Sequence, residues 1–415
     1  MPALTLTFKV HQPFRIAKVH LNGSIGNDIF QDYFDHGLNK FVLDKVSKNC
    51  YYAANATLLD LLDKFKSERR KFKIAFSFSG VFFELVENFN FRDLFESFLQ
   101  LGRHKNVEIL GETYYHSLAS LFPEKDEFIE QVNLHRQRMK ELFGKEPKVF
   151  LNTEMIYNNV IGKIVEELGF KGIFTEGHER ILGWRSPNYI YVRKYCFPND
   201  PEPKHRIKIL LRNYRLSDDV GWRFSCKNWE EWPLTADKYA AWLNATPGQV
   251  INLAMDYETF GDHHWQDTGI LLFLRYLPEE VLKYESLEFM FPSEVIEKFE
   301  PVGEIDVFEF STVSWADMER DVSAWLGNSM QQLLFKEIQE IGKLVKKLNN
   351  PFYTKIWRLL QISDNLYYCC TKWWNDGDVH KYFSVFDTPY DCFANFMAIL
   401  YDFKLRLMQE LNCTK

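Results

Sequence analysis

Two acids in this chain each close an apolar run: Glu154 in KVFLNTEMIYNN and Asp256 in LAMDYETFGDHH. Carboxylates ending two different strands can divide acid–base work. One attacks or activates water, while the other, lifted by burial and a neighbouring anion, protonates a departing oxygen. That is the minimum apparatus of a glycosidase, and the same two groups would equally serve as ion-pair partners for Arg212 or Arg215. The second stretch offers a rival chemistry. Asp262, His263 and His264 are metal-ligand types, of the Asp/His/His kind that metal-dependent polysaccharide deacetylases use. Adjacent histidines on a strand point to opposite sides, however, and the sequence has no HxxxH pair that would converge on one ion. The histidine pair reads as loop chemistry, with no metal and no cofactor expected. Glu258 reads as a hydrogen-bonding support for Asp256.

These acids need a scaffold. Short apolar runs recur along the chain as LTLTFKV, FKIAFSFS, NVEIL, KVFLNT, KGIFT, RIKILLRN and VINLAMD, several separated by helical patterns such as ATLLDLLDKFKSE and NNVIGKIVEELGF. Strand then helix, repeated about seven times, predicts an α/β fold: a TIM-like (β/α)7 barrel, incomplete by one unit of eight. An open doubly wound sheet is the alternative, but no glycine-rich phosphate fingerprint follows any strand. Alternation puts Leu4, Leu6, Phe8 and Val10 on one face of the first strand and Thr5, Thr7, Lys9 and His11 on the other. The second, sixth and seventh strands divide likewise. The apolar face should meet the helices, leaving a polar face for a deep, wet barrel interior. His11, Glu108, Glu154, Arg212 and Asp256 close their strands at the C-terminal end, where a barrel of this kind carries its site.

The pattern changes after about residue 311. MERDVSAWLGNSMQQLLFKEIQEIGKLVKKL, TKIWRLLQISDNLYYCCTKWW and DCFANFMAILYDFKLRLMQEL read as long amphipathic helices. The chain therefore divides into a catalytic barrel over residues 1–310 and an α-helical region over 311–415, packed on the barrel and completing its cleft.

Composition narrows the partners. Aromatics make up 16% of the chain, with 11 Trp, 20 Tyr and 37 Phe, enough for a core and for platforms that stack on sugar faces. A net charge of −7 with interspersed signs argues against a nucleic-acid backbone as partner. The seven cysteines form no CxxC, and their odd number fits a reducing compartment. The N-terminus lacks the apolar core of a signal peptide and no window suits a membrane span, so a cytoplasmic protein is expected. Oligomeric state is not legible.

Five separated segments, in order, carry a resemblance: HQPFR at His11 to Arg15, NVEIL at Asn106 to Leu110, FLNTEM at Phe150 to Met155, MDYETFGDH at Met255 to His263 and DVSAWLGN at Asp321 to Asn328. Together they make the chain similar to glycoside hydrolase family 57, the retaining α-glucan-acting family, and above all to its cytoplasmic α-amylase branch. The resemblance implies an α-1,4-glucan or maltooligosaccharide substrate, with Glu154 as nucleophile and Asp256 as general acid/base. It implies that His11 and Glu108 line the pocket of the sugar at the cleavage point, and that Trp325 is an aromatic brought over the cleft from the helical region, or else a Trp on an amphipathic helix. Three further residues are expected near the substrate. Arg212 lies where many family members carry Arg-Asp, although Asn213 follows it here. Trp222 would stack on a glucose ring or cover the barrel mouth, and His116 either reaches the cleft or is structural. The runner-up activity is 4-α-glucanotransferase from the same site. A deacetylase and a non-catalytic glucan-binding protein are the readings from other classes.

Overall fold

The computed structural model describes residues 2–19, 25, 26, 28–194, 197–202, 205–372 and 383–413. The first strand, β1 (Ala3–Val10), is buried along its whole length and stands in the wall of a ring of strands. Its register with β8 (Val250–Asp256) runs unbroken from Ala3↔Val250 to Lys9↔Asp256. On its other side β2 (Ile74–Phe78) pairs from Thr7↔Ala75 onward, and β3 (Val107–Ile109) continues the sheet. A narrow seam joins β3 to β4 (Val149–Phe150) through the Gly111↔Phe150 bridge, with Leu151 N donating to Gly111 O at 2.8 Å. Then β5 (Gly172–Glu176) pairs with β4 and with β7 (Lys208–Arg212), and Arg212↔Asn252 closes β7 onto β8. These seven parallel strands are the seven read from the sequence.

Three short strands lie outside that count. β6 (Tyr191–Arg193) runs antiparallel to the lower half of β7, β10 (Glu304–Ile305) extends β6, and β9 (Glu288–Phe289) pairs with the start of β1. They are two or three residues long, too short for a period of two to register.

Side-chain alternation sorts two cores. Leu4, Leu6, Phe8 and Val10, with Phe76, Phe78, Ile209, Ile251, Leu253 and Met255, face outward into the helices. The opposite face is drier than its sequence suggests. Ala3, Ala75, Leu110, Val149, Leu151, Phe174, Leu210, Val250 and Ala254 form an apolar belt inside the barrel, and Met290, Val295 and Ile296 from the helix Pro292–Lys298 and the residues before it floor it. The interior is therefore dry through its middle, and its polarity is concentrated at the upper end. Below that end the polar groups satisfy one another: Thr5 Oγ1 donates to Asn252 Oδ1 at 2.8 Å, and Asn252 Nδ2 donates to Leu211 O.

The C-terminal region contains the helices Ser329–Leu348, Pro351–Leu360, Asp364–Tyr367 and Pro389–Cys413. The first is capped by Asn328, which accepts from Gln331 N, the reciprocal box that fixes a helix start. The expected single helix over TKIWRLLQISDNLYYCCTKWW is instead broken at Gln361–Ser363. Ile362 pairs with Ser117 of the barrel and Ser363 N donates to His116 O at 3.0 Å, so a tertiary strand-like contact outcompetes helical propensity. Its last two residues, 373 and 374, lie outside the described residues. Among those described, no helix is long and apolar enough to cross a membrane.

Candidate active site

The upper ends of the strands converge on Glu154. It sits in a tight turn, Thr153–Met155, just past β4, with φ of 54°, a left-handed conformation that costs a non-glycine residue strain. Of the seven described non-glycine residues with positive φ, five are His116, Glu154, Met155, Asp317 and Arg320. Strain is thus gathered around one carboxylate. The turn is held from outside the barrel: Ser314 Oγ and Trp315 N both donate to Glu154 O. Asn152, beneath it, donates to Ser120 Oγ and to Ile156 O.

Both carboxylate oxygens of Glu154 meet an N–H donor. His116 Nε2 lies 3.0 Å from Oε1, and Trp315 Nε1 donates to Oε2 at 2.7 Å. The other nitrogen of His116 is 3.6 Å from Glu112 Oε1. Burial and the Lys9 ammonium work against a charged His116, yet Glu112 and Glu154 prevail and hold it above the usual histidine value. Glu112 is fully buried and accepts from Lys9 Nζ and Ser77 Oγ. Burial alone would raise its pKa, but Lys9 and His116 keep it well below the carboxylate range. A line of ionisable groups therefore runs from Lys9 through Glu112 and His116 to Glu154.

Asp256 ends β8 opposite Lys9 and remains half-buried. Burial pushes its carboxyl above the usual range. His263 opposes this and the Glu154 charge adds to it. Two neighbouring acids thus have unlike environments, one fixed by two donors and the other biased towards holding a proton. Glu258, expected as a hydrogen-bonding support for Asp256, instead accepts from Tyr51 Oη; it is buried and is pushed up to about 8 by burial and then by the Asp256 charge.

A second cluster backs Trp315. Arg212 Nη1 donates to Glu176 Oε2 at 2.9 Å, Nη2 donates to Asp218, and its guanidinium lies 5.5 Å from the Trp315 ring. Arg320 binds the same two acids from above and donates to Trp315 O. Asn213, where an acid was in question, caps the following helix through Leu216 N.

The expected residues separate. His11, His116, Glu154, Arg212 and Asp256 come together. Glu108 does not. It pairs with Ala75, a layer below Ser77, with Leu110 above it, and accepts from Ser293 N at 3.0 Å in the helix that floors the barrel. Burial pushes its carboxyl up to about 7 against that bond. Glu112, two periods further on the same face, holds the rim position instead. Trp325 is 1% exposed and lies in the helical core against Tyr367, so it is the Trp of an amphipathic helix and not a platform over the cleft. Trp222 is 62% exposed and directly follows the helix Tyr214–Gly221. The trio Asp262, His263 and His264 diverges: Asp262 accepts from Asn49 Nδ2, whereas buried His264, held down to about 4 by burial, meets Ser225 Oγ at 2.7 Å.

A seven-stranded parallel barrel with acids gathered at the C-terminal ends of its strands is an architecture for glycosidic-bond hydrolysis. The chain belongs to glycosyl hydrolase family 57, whose model matches residues 5–308. It is a glycoside hydrolase. It is 51% identical, over 98% of its length and 85% of the other's, to a Methanocaldococcus jannaschii protein described as "Putative alpha-amylase". Its fold resembles those of an alpha-amylase from Thermotoga maritima (TM-score 0.62, 14% identity, covering 99% of this chain and 93% of that one) and a 4-alpha-glucanotransferase from Thermococcus litoralis (TM-score 0.61, 16% identity, 88% and 56%).

Proposed function

We propose that the protein cleaves α-1,4-glucosidic bonds in α-glucans or maltooligosaccharides with retention of configuration, as an α-amylase-type hydrolase. The observation that carries this reading is the unequal pair: Glu154 pinned at both oxygens by His116 and Trp315, and Asp256 raised beside it. Glu154 attacks the anomeric carbon while Asp256 gives its proton to the departing glycosidic oxygen. Asp256, now a base, takes a proton from water, the water oxygen bonds to the anomeric carbon, and Glu154 leaves as the carboxylate. The oxygen of Glu154 that stays outside the ester keeps its donor throughout. Both donors favour the returning anion in the second step.

The helical region completes the cleft in this account, supplying Asp364 beside His11. A reducing, cytoplasmic setting suits six described cysteines that are all thiols.

The test is azide rescue on an activated α-maltosyl substrate. Glu154→Gly with azide should yield the β-glycosyl azide and Asp256→Gly the α-anomer. Undiminished turnover by Glu154→Ala on maltoheptaose would sink the assignment. Product lengths from maltoheptaose separate hydrolysis, which gives only shorter chains, from transfer to a sugar 4-hydroxyl, which also gives longer ones.

A further inference from the structure

The segment DVSAWLGN gives the cleft no aromatic platform, because Trp325 lies in the helical core. Its last residue has a different use. Asn328 caps the helix Ser329–Leu348, and its Nδ2 donates to Cys369 O at 2.9 Å and to Thr371 Oγ1 at 3.3 Å. Gln331, buried in the first turn of that helix, donates to Leu366 O at 3.0 Å and to Ala324 O at 2.7 Å. The chain that leaves the short helix Asp364–Tyr367 is therefore fixed by two side-chain amides. Lys372 stands at the end of the chain so fixed.

Residues 313–321 form a short hairpin. Val313 pairs with Asp321, Ser314 N donates to Arg320 O at 3.1 Å, and Val313 also pairs with Tyr157, just beyond Glu154. Trp315, the indole that donates to Glu154, lies in this hairpin. Its loop carries both strain and charge. Asp317 and Arg320 have φ of 55° and 52°, the left-handed region that costs a non-glycine residue. Lys372 Nζ donates to Asp317 Oδ2 and to Glu319 Oε2, each at 2.8 Å. Two like charges are thus drawn to one point, and a single ammonium balances them. Burial works against the charge on Lys372, but the two acids prevail and hold it above the usual lysine value.

Each link from the helical region to the nucleophile is a contact or a short run of chain. Asn328 holds residues 369–371, Lys372 holds Asp317 and Glu319, and Trp315 Nε1 meets Glu154 Oε2. A hydrogen bond weakens steeply once its donor leaves the right distance and angle. We propose that Lys372 is a positioning residue for the nucleophile: by clamping the hairpin loop it holds the Trp315 indole where its N–H meets Glu154. Arg320 ties the hairpin to the barrel through Glu176 and Asp218, and Lys372 ties it to the helical region. This rests on the glucan-cleaving reading above and deepens it. The helical region then acts on the reacting carboxylate itself.

A double-mutant cycle on maltoheptaose tests the assignment, because an effect routed through Trp315 disappears once the indole N–H is gone. Lys372→Met keeps most of the side-chain length and removes the cation. In the otherwise wild-type protein it should lower kcat roughly five- to tenfold, with KM close to wild type. In the Trp315→Phe protein the same substitution should change kcat by less than about twofold. Lys372→Gln, neutral but still a donor, enters the same cycle if Lys372→Met does not fold. A fall of equal size in both backgrounds marks a merely structural lysine and overturns the proposal, as does a wild-type kcat in the single variant. Either result leaves the proposed function standing. Failure of the wild type to cleave any α-glucan overturns both.

Discussion

Trp315 Nε1 donates to Glu154 Oε2 at 2.7 Å across 161 positions of sequence. The indole belongs to a strap that the barrel holds from beneath through Arg212 and from above through Arg320. A hydrogen bond to a charged group contributes about 1.5–3 kcal/mol, and about 1.4 kcal/mol is a factor of ten in rate. Trp315→Phe keeps the ring and deletes the donor. It should lower kcat/KM on maltooligosaccharides by roughly 10- to 100-fold. Wild-type kcat/KM in Trp315→Phe would refute the role.

Arg212 is a stability element as well. Glu176 is fully buried, and burial already raises its carboxyl against the pull of Arg212 and Arg320. Arg212→Met leaves that acid with the longer Arg320 ion pair, 3.3 Å, and the Gly177 N–H. Breaking a buried pair costs about 3–5 kcal/mol, which chemical denaturation would read. Arg320→Ala removes a more exposed partner and should cost less stability while still loosening the strap.

Glu258 sets a pH dependence of stability. Its folded pKa, about 8, lies above the unfolded value near ~4.3. The folded state therefore binds more protons between those values, and stability falls as pH rises through that window. Glu258→Gln, which still accepts from Tyr51, should melt higher than the wild type at pH 8 and alike at pH 4. Parallel melting curves across the range would contradict this.

Glu108→Gln checks the correction at the barrel floor. The amide still accepts from Ser293 N, and nothing of the upper site is touched. Activity on maltoheptaose should stay within about twofold, since changes remote from such features are usually small. A large loss of kcat would restore Glu108 to the cleft.

The parity rule served well where strands were long. It put Lys9 and His11 on the inner face of β1 and Asp256 on that of β8, and those faces are where they lie. The reading that Glu108 closes its strand at the rim failed because β3 is three residues long and the rim is reached only at Glu112, already written in the sequence four positions on. Trp315 lay in VSWAD, a stretch with neither helical nor strand period, and Arg320 lay in what read as the start of a long amphipathic helix that in fact begins at Ser329, so no pattern pointed at either. Asp364 was hidden inside an apparently continuous amphipathic helix, and only the pairing of Ile362 with Ser117 exposes it. What stayed illegible is what depends on contacts between segments far apart in sequence.

The floor formed by Met290, Val295 and Ile296, with the apolar belt above it, fills the barrel below Glu154 and Asp256. A sugar chain therefore meets the two acids across the rim and does not thread through the barrel. The groups that border the rim, on the barrel loops and on the helical region, are then the ones that set which stretch of chain fits.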